Sequence, residues 1–171
     1  MLQVVDEQDR PVGAASRQEV HARSLRHRAV HVLLFNGTGD LYLQRRSANK
    51  ETWPGYWDSS CSGHVGAGES YDASAARELG EELRLKSTVR QLGKLGASPQ
   101  TENEFICVYA ALHDGPIRPN EAEIDEGRFF PVDHLRLELR ANARPFTPAF
   151  REVFRLWAST SETLFDKDCR Q

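Results

Sequence analysis

Apolar and polar residues along this chain fall mostly into short runs of period two, broken by turn residues, with helical periodicity in two longer stretches. Residues 2–16 read as two short extended runs around a polar turn at 8–11. Ser16 followed by Glu19 has capping-box spacing and predicts a short helix over 17–23. Residues 29–35 form an apolar strand that ends at Asn36-Gly37-Thr38-Gly39-Asp40, and 41–45 read as the return strand. Trp53-Pro54-Gly55-Tyr56-Trp57 is a punctuated aromatic loop, and a further strand ends near Gly63. Residues 71–83 lack proline and β-branched side chains and are rich in Ala, Arg, Glu and Leu, which predicts a helix. Strands follow at 89–95, 104–112 and 127–131, with a short helix at 134–139 capped by Asp133. Thr147-Pro148 has the form of an N-cap and first-turn proline. Phe150, Val153, Phe154 and Trp157 then share one face of the last helix, as core residues do. Strands and helices mix without regular βαβ alternation, so the class is α+β.

The 171 residues suit one domain spanning 1–171, with 1–28 as an N-terminal extension packed on it. Apolar residues at 39% and charged residues at 27% are ordinary for a globular chain. A net charge of −3 offers no global field for a nucleic-acid polymer or an anionic membrane. No apolar run reaches the roughly 18–20 residues that span a bilayer, and the N-terminus lacks a signal pattern, so the expectation is cytoplasmic. Cys61, Cys107 and Cys169 form no CxxC pair, which argues against a disulfide framework or a cysteine-built zinc site.

The chemistry concentrates after Gly63. A glycine-rich loop, Gly63-His64-Val65-Gly66-Ala67-Gly68-Glu69, leads into the helix that carries Arg77-Glu78-Leu79-Gly80-Glu81-Glu82. At 100° per residue Glu78, Glu81 and Glu82 fall in one quadrant, with Leu79 and Leu83 mainly opposite. Carboxylates at such spacing repel by a few tenths of a kcal/mol per pair, and clustered carboxylate oxygens are the ligands that hard divalent cations take. Residues 63–85 resemble the Nudix box, G-x5-E-x7-R-E-U-x-E-E-x-G-U. Gly63, Glu69, Arg77, Glu78, Leu79, Glu81, Glu82 and Leu85 match in register. The resemblance implies an α/β/α sandwich with a mixed sheet and a loop-helix-loop motif. It implies magnesium, or manganese in its place, held by Glu78, Glu81, Glu82 and the Gly63 carbonyl, with Glu69 and Arg77 as orienting residues. The expected reaction is water attack at phosphorus in a phosphoanhydride. Glu78 is the first choice as base, with a glutamate outside the box as competitor. Arg84 stands where the box has its final glycine, so the helix ends either with a left-handed arginine, at about 1 kcal/mol, or in another way.

Residues 1–135 also resemble isopentenyl-diphosphate isomerase, through His27-Arg28-Ala29-Val30, Leu34-Phe35-Asn36, Lys50 with Trp53–Trp57, and Glu102-Asn103-Glu104. That resemblance points to a metal among His21, His27, His64, Glu102 and Glu104. The isomerase thiol is missing, because Ser62 or Gly63 stands there and Cys61 is displaced by a residue, which turns a strand side chain to the other face. The box, degraded in isomerases, is complete here. The reading is an isomerase-like Nudix hydrolase; an isomerase and a non-catalytic nucleotide-binding module are the alternatives. Glu102 and Glu104, two apart on one strand, are expected to share a face and complete the metal site. His31 reads as packing or surface, and Glu121 and Glu123 as a solvated acidic loop. Arg45, Arg46, Lys50 and Trp57 are the candidates to meet a phosphoanhydride substrate, with Trp53, Tyr56 and Trp57 either stacking on a base or covering the core. Nucleoside di- or triphosphates, or other nucleoside diphosphate derivatives, are the expected small-molecule partners.

Overall fold

A computed structural model of the chain describes residues 1–161. Strand β3 (His27–Phe35) organises it. One edge pairs in parallel with β8 (Glu104–Leu112) along its whole length, from His27↔Glu104 to Phe35↔Leu112. The other edge is shared by three strands in succession. Val4 of β1 (Leu2–Val5) pairs at His27, β6 (Cys61–His64) pairs at residues 29–32, and β4 (Leu41–Arg46) pairs at Leu34 and Phe35. β2 (Pro11–Ala15) extends β1, and β7 (Arg90–Leu95) covers β8. β5 (Trp57–Asp58) and β9 (Ile124–Phe130) flank β4. β4 and β6 thus divide one edge of β3 between them.

Each face of the sheet has its own core. On one side α2 (Tyr71–Leu83) buries Ala75, Leu79 and Leu83 against Val30, Val32 and Cys107. On the other, α3 (Val132–Ala141) and α4 (Pro148–Ser161) bury Leu135, Phe150, Val153, Phe154 and Trp157 against Leu33, Ile106 and Val108. This is the α/β/α sandwich. Phe150 is fully buried between Phe146 and Phe154, so Phe150→Ala is expected to cost about 3–5 kcal/mol in chemical denaturation.

Local signals explain most boundaries. Ser16 caps α1 (Arg17–Ala22) by accepting from the Glu19 amide at 3.1 Å; Glu19 itself pairs with Arg23, so the cap is one-sided. Ser70 caps α2 through the Ala73 amide, and Thr147 caps α4 through the Phe150 amide. Asp133 does not cap α3, which begins one residue earlier, at Val132, behind Pro131. Arg84 ends α2 in the left-handed region, φ 56° and ψ 34°, with its amide donating to the Gly80 carbonyl. The arginine therefore adopts the conformation glycine would take. Arg84→Gly is expected to be stabilising by up to about 1 kcal/mol in the same measurement.

Cys61 and Cys107 are buried free thiols, while Cys169 lies outside the described residues. Among the described residues no helix is long and apolar enough to cross a membrane.

Candidate active site

The glycine-rich loop after β6 is pinned by the chain's first strand. The Gln3 amide donates to the Val65 carbonyl, the Ala67 amide to Met1, and the Gly68 amide to the Gln3 side chain. The N-terminal segment thus holds the loop against the first turns of α2.

Arg77 gathers the site. Its guanidinium donates to both Glu69 oxygens at 2.9 and 3.1 Å, to Glu78 at 2.6 Å, to Glu81 at 3.0 Å and to the His64 carbonyl at 3.0 Å. The Arg77 contact holds Glu69 down to about 2, and Glu69 also accepts from the Gly66 amide. Glu78 and Glu82 are buried, and burial pushes them up to about 7 and about 8 respectively. Glu82 accepts from the Gln44 side chain at 2.7 Å and the Ser62 amide at 3.3 Å. Glu81 is the exposed member of the three. A β-carbon at Gly63 would overlap the Glu78 carboxylate, so only glycine lets that carboxylate lie against the strand. Three carboxylates around one cleft, which Gly63 also lines, are an oxygen set of the kind magnesium takes. Two of the three are desolvated side by side, a cost that a cation would offset.

The cleft has further walls. Glu123 borders it, together with Lys50 and Arg17. Lys50 pairs with Glu123 at 2.6 Å, and Asn120 ties that loop to the end of α2 by donating its amide to the Glu82 carbonyl. Glu121 is exposed, as expected of an acidic loop, but Glu123 faces the carboxylate cleft.

A second cleft opens on the α4 side of the sheet and shares Arg17, Lys50, Ser62, Gly63 and His64 with the first. There His21, His27 and His64 each bring one ring nitrogen within 4.8 Å of the others. The Leu25 carbonyl lies 2.9 Å from His27 Nδ1, which turns Nε2 of that ring toward Glu104, and the Nε2 of His21 is buried without a hydrogen-bond partner. Glu104 lies 3.2 Å from His27 Nε2 and 3.0 Å from His64 Nε2. Burial alone would raise Glu104, but these imidazoles hold it well below the usual carboxylate range. Three imidazoles and a carboxylate fit a transition-type cation such as zinc or manganese.

Several expectations change. Glu102 does not share a strand face with Glu104. It caps a 3-10 turn (Pro99–Thr101) in the left-handed region, φ 52°, and accepts from the Trp53 indole, while β8 starts only at Glu104. Both carboxylates still border the histidine cleft, away from the box. Trp57 is a core residue with its ring against Phe130 and under the Arg128 and Arg144 guanidiniums, so it is withdrawn from the substrate. Arg45 borders neither cleft and lies 3.4 Å from Glu126. Arg46 borders the histidine cleft but is tied to Asp58 and the Thr52 carbonyl. Lys50 alone of the four candidates borders both clefts. His31 is buried at the histidine cleft with Nδ1 2.8 Å from Ser59 Oγ, and burial lowers its basicity. Arg17, Gln44 and Glu123 carried no sequence signal for the site, because each reaches it from an element distant in the chain.

A loop-helix-loop carboxylate motif on an α/β/α sandwich defines the class, and the comparisons agree. The chain belongs to the NUDIX domain family, whose model matches residues 25–150. It is similar to an uncharacterized Nudix hydrolase of Pseudomonas aeruginosa, 42% identical over 90% of each chain. It is also similar to the isopentenyl-diphosphate Delta-isomerase of Nocardia farcinica, 33% identical over 91% of this chain and 93% of that one. A crystal structure of a Deinococcus radiodurans protein superposes with a TM-score of 0.79 at 31% identity, covering 90% of this chain and 96% of that one.

Proposed function

We propose that this protein is a magnesium-dependent hydrolase of phosphoanhydride bonds acting on nucleoside di- or triphosphates or related nucleoside diphosphate derivatives. The observation that carries the reading is the complete carboxylate cleft: Glu78 and Glu82 buried beside Gly63, with Arg77 bridging Glu69, Glu78 and Glu81. A phosphoanhydride resists attack because its charged oxygens repel the nucleophile. Magnesium, held by Glu78, Glu81, Glu82 and the Gly63 carbonyl, would neutralise that charge and acidify the attacking water. Lys50 and Arg17 border the cleft and would bind phosphate oxygens, Lys50 by exchanging Glu123 for the substrate. Glu78 is assigned as the proton acceptor, and Glu123, beside it in the cleft, is the external glutamate against which that assignment is tested.

Isomerases among the relatives make the choice of chemistry a matter for this chain's own residues. Protonation of an alkene needs an acid on the substrate side of β6. Ser62 lines the histidine cleft, whereas Cys61 is fully buried against α2. Burial, with Glu82 and Glu78 behind it, pushes the Cys61 thiol well above its ordinary value. Neither position supplies an accessible thiol. The test is a panel of nucleoside phosphates, nucleotide sugars and dinucleoside polyphosphates with magnesium, run beside isopentenyl diphosphate with magnesium and zinc. Hydrolysis of at least one panel member without isomerisation is expected. Isomerisation without hydrolysis, or nucleotide binding without turnover, contradicts the reading.

The histidine cleft is proposed as a second cation site, on the clustered ring nitrogens of His21, His27 and His64 beside Glu104, with His21 Nε2 buried and unpartnered. Metal analysis of dialysed protein checks it: about one equivalent of zinc or manganese is expected to be retained, and lost in His27→Ala. Equal metal content in the two proteins sinks the assignment.

A further inference from the structure

We propose that the groove between α3 and α4 is a binding site for small organic polyphosphates, separate from both clefts. It lies in the helical layer on the opposite face of the sheet from α2, and its open volume is about 330 Å³, within the range of small-molecule sites.

Four guanidiniums border this recess, Arg136 and Arg140 from α3 and Arg151 and Arg155 from α4, over a floor that includes Leu139 and Phe154. On each helix the two arginines stand four residues apart, the spacing at which like charges repel. Glu152 pairs with Arg155, while Arg140 has no ion-pair partner among the described residues. Arg136 and Arg151 are held by other means. Arg136 lies over the rings of Phe154 and Trp157 at 5.9 and 5.5 Å. Arg151 lies over Phe146 at 5.6 Å and donates to the Leu139 carbonyl at 3.1 Å. Ring faces and a helix-end carbonyl thus fix these cationic forks, and among the described residues one carboxylate, Glu152, pairs with any of the four.

Such a site selects its ligand on two counts. Guanidinium forks bind phosphate oxygens in bidentate fashion, so several forks around one recess favour an anion of several charges. The apolar floor favours an anion attached to an apolar or aromatic body over a bare inorganic one. The chain's net charge of −3 makes this a local positive site on an acidic protein, which sets it apart from a general affinity for polyanions.

The test needs no catalysis. ATP and inorganic tripolyphosphate are titrated into the full-length chain in EDTA, by calorimetry and by NMR of arginine Nε–H groups. ATP is expected to shift the α3 and α4 arginines and to bind at least about tenfold more weakly there in Arg140→Glu/Arg155→Glu, which changes two exposed residues. Arg140→Gln, the milder change, is expected to fall between. Thermal melts establish that the variants are folded. No shift at α3 and α4, or equal affinity in the charge-reversed variant, overturns the site. Tripolyphosphate binding as tightly as ATP overturns the assignment to organic anions.

Discussion

Glu82→Gln is expected to lower magnesium-dependent phosphoanhydride hydrolysis by about a thousandfold, the upper end of what one site-defining electrostatic group contributes, while the chain stays folded. The substitution keeps size and shape. The amide oxygen can still accept from Gln44 and the Ser62 amide. What it removes is a carboxylate whose ionised form is disfavoured by burial, which pushes it up to about 8, and favoured by a bound cation. The thermal melt separates the two effects. Without metal the variant is expected to melt at or above the wild-type temperature. Magnesium should raise the wild-type melting temperature, as any ligand of the native state does, and should not raise that of the variant. Wild-type-like turnover in Glu82→Gln would mean that the reaction does not run through this helix.

Gly63→Ala is expected to cost about a hundredfold or more, by geometry alone. The new methyl occupies the place of the Glu78 carboxylate, so that carboxylate must leave the position in which it meets Arg77 at 2.6 Å. The strand survives, since β6 pairs with β3 through its backbone and Gly63 faces Val30 in that ladder. The signature is therefore a higher magnesium requirement and a lower kcat in a protein with an unchanged circular dichroism spectrum. Full activity at the wild-type magnesium concentration would show that Glu78 need not lie against the strand. Glu123→Gln is the companion experiment. It removes the other candidate acceptor and frees Lys50 for the substrate, and is expected to leave kcat nearly unchanged without raising KM if Glu78 takes the proton. A loss confined to kcat would transfer that role to Glu123.

The local part of this protein was legible in its sequence. Helix 71–83 and strand 104–112 fall where periodicity placed them, because Ser70, the alternating core residues and the absence of breakers all act within a few residues. The last helix starts at Pro148 because Thr147 caps it. Arg84 was legible as an irregularity, and the left-handed cap resolved it. What failed depended on neighbours distant in the chain. Trp57 could have met a base or covered the core, and only its pairing with β4 through Arg45 and its packing on Phe130 decide for the core. Glu102 was misplaced because Ser98-Pro99 starts a capped 3-10 turn, a signal present in the sequence that breaks the strand's alternation. Glu123 reads as loop acid until Asn120 is seen donating to the end of α2. The histidines are six and 37 residues apart along His21, His27 and His64, and only the meeting of α1, β3 and β6 brings them together.

The two clefts share β6, and that strand explains how isomerase-like surroundings and a complete carboxylate helix coexist. Gly63 lies against Glu78, Ser62, Gly63 and His64 border both clefts, and Cys61 is carried into the core against α2.

Turnover in water enriched in oxygen-18 tests the central claim most directly. A nucleoside diphosphate or triphosphate cleaved with magnesium present should release phosphate-containing products bearing one solvent oxygen per bond broken, and none should form in EDTA. Isopentenyl diphosphate converted to its isomer with no solvent oxygen at phosphorus, and no cleavage of any phosphoanhydride, would contradict the account.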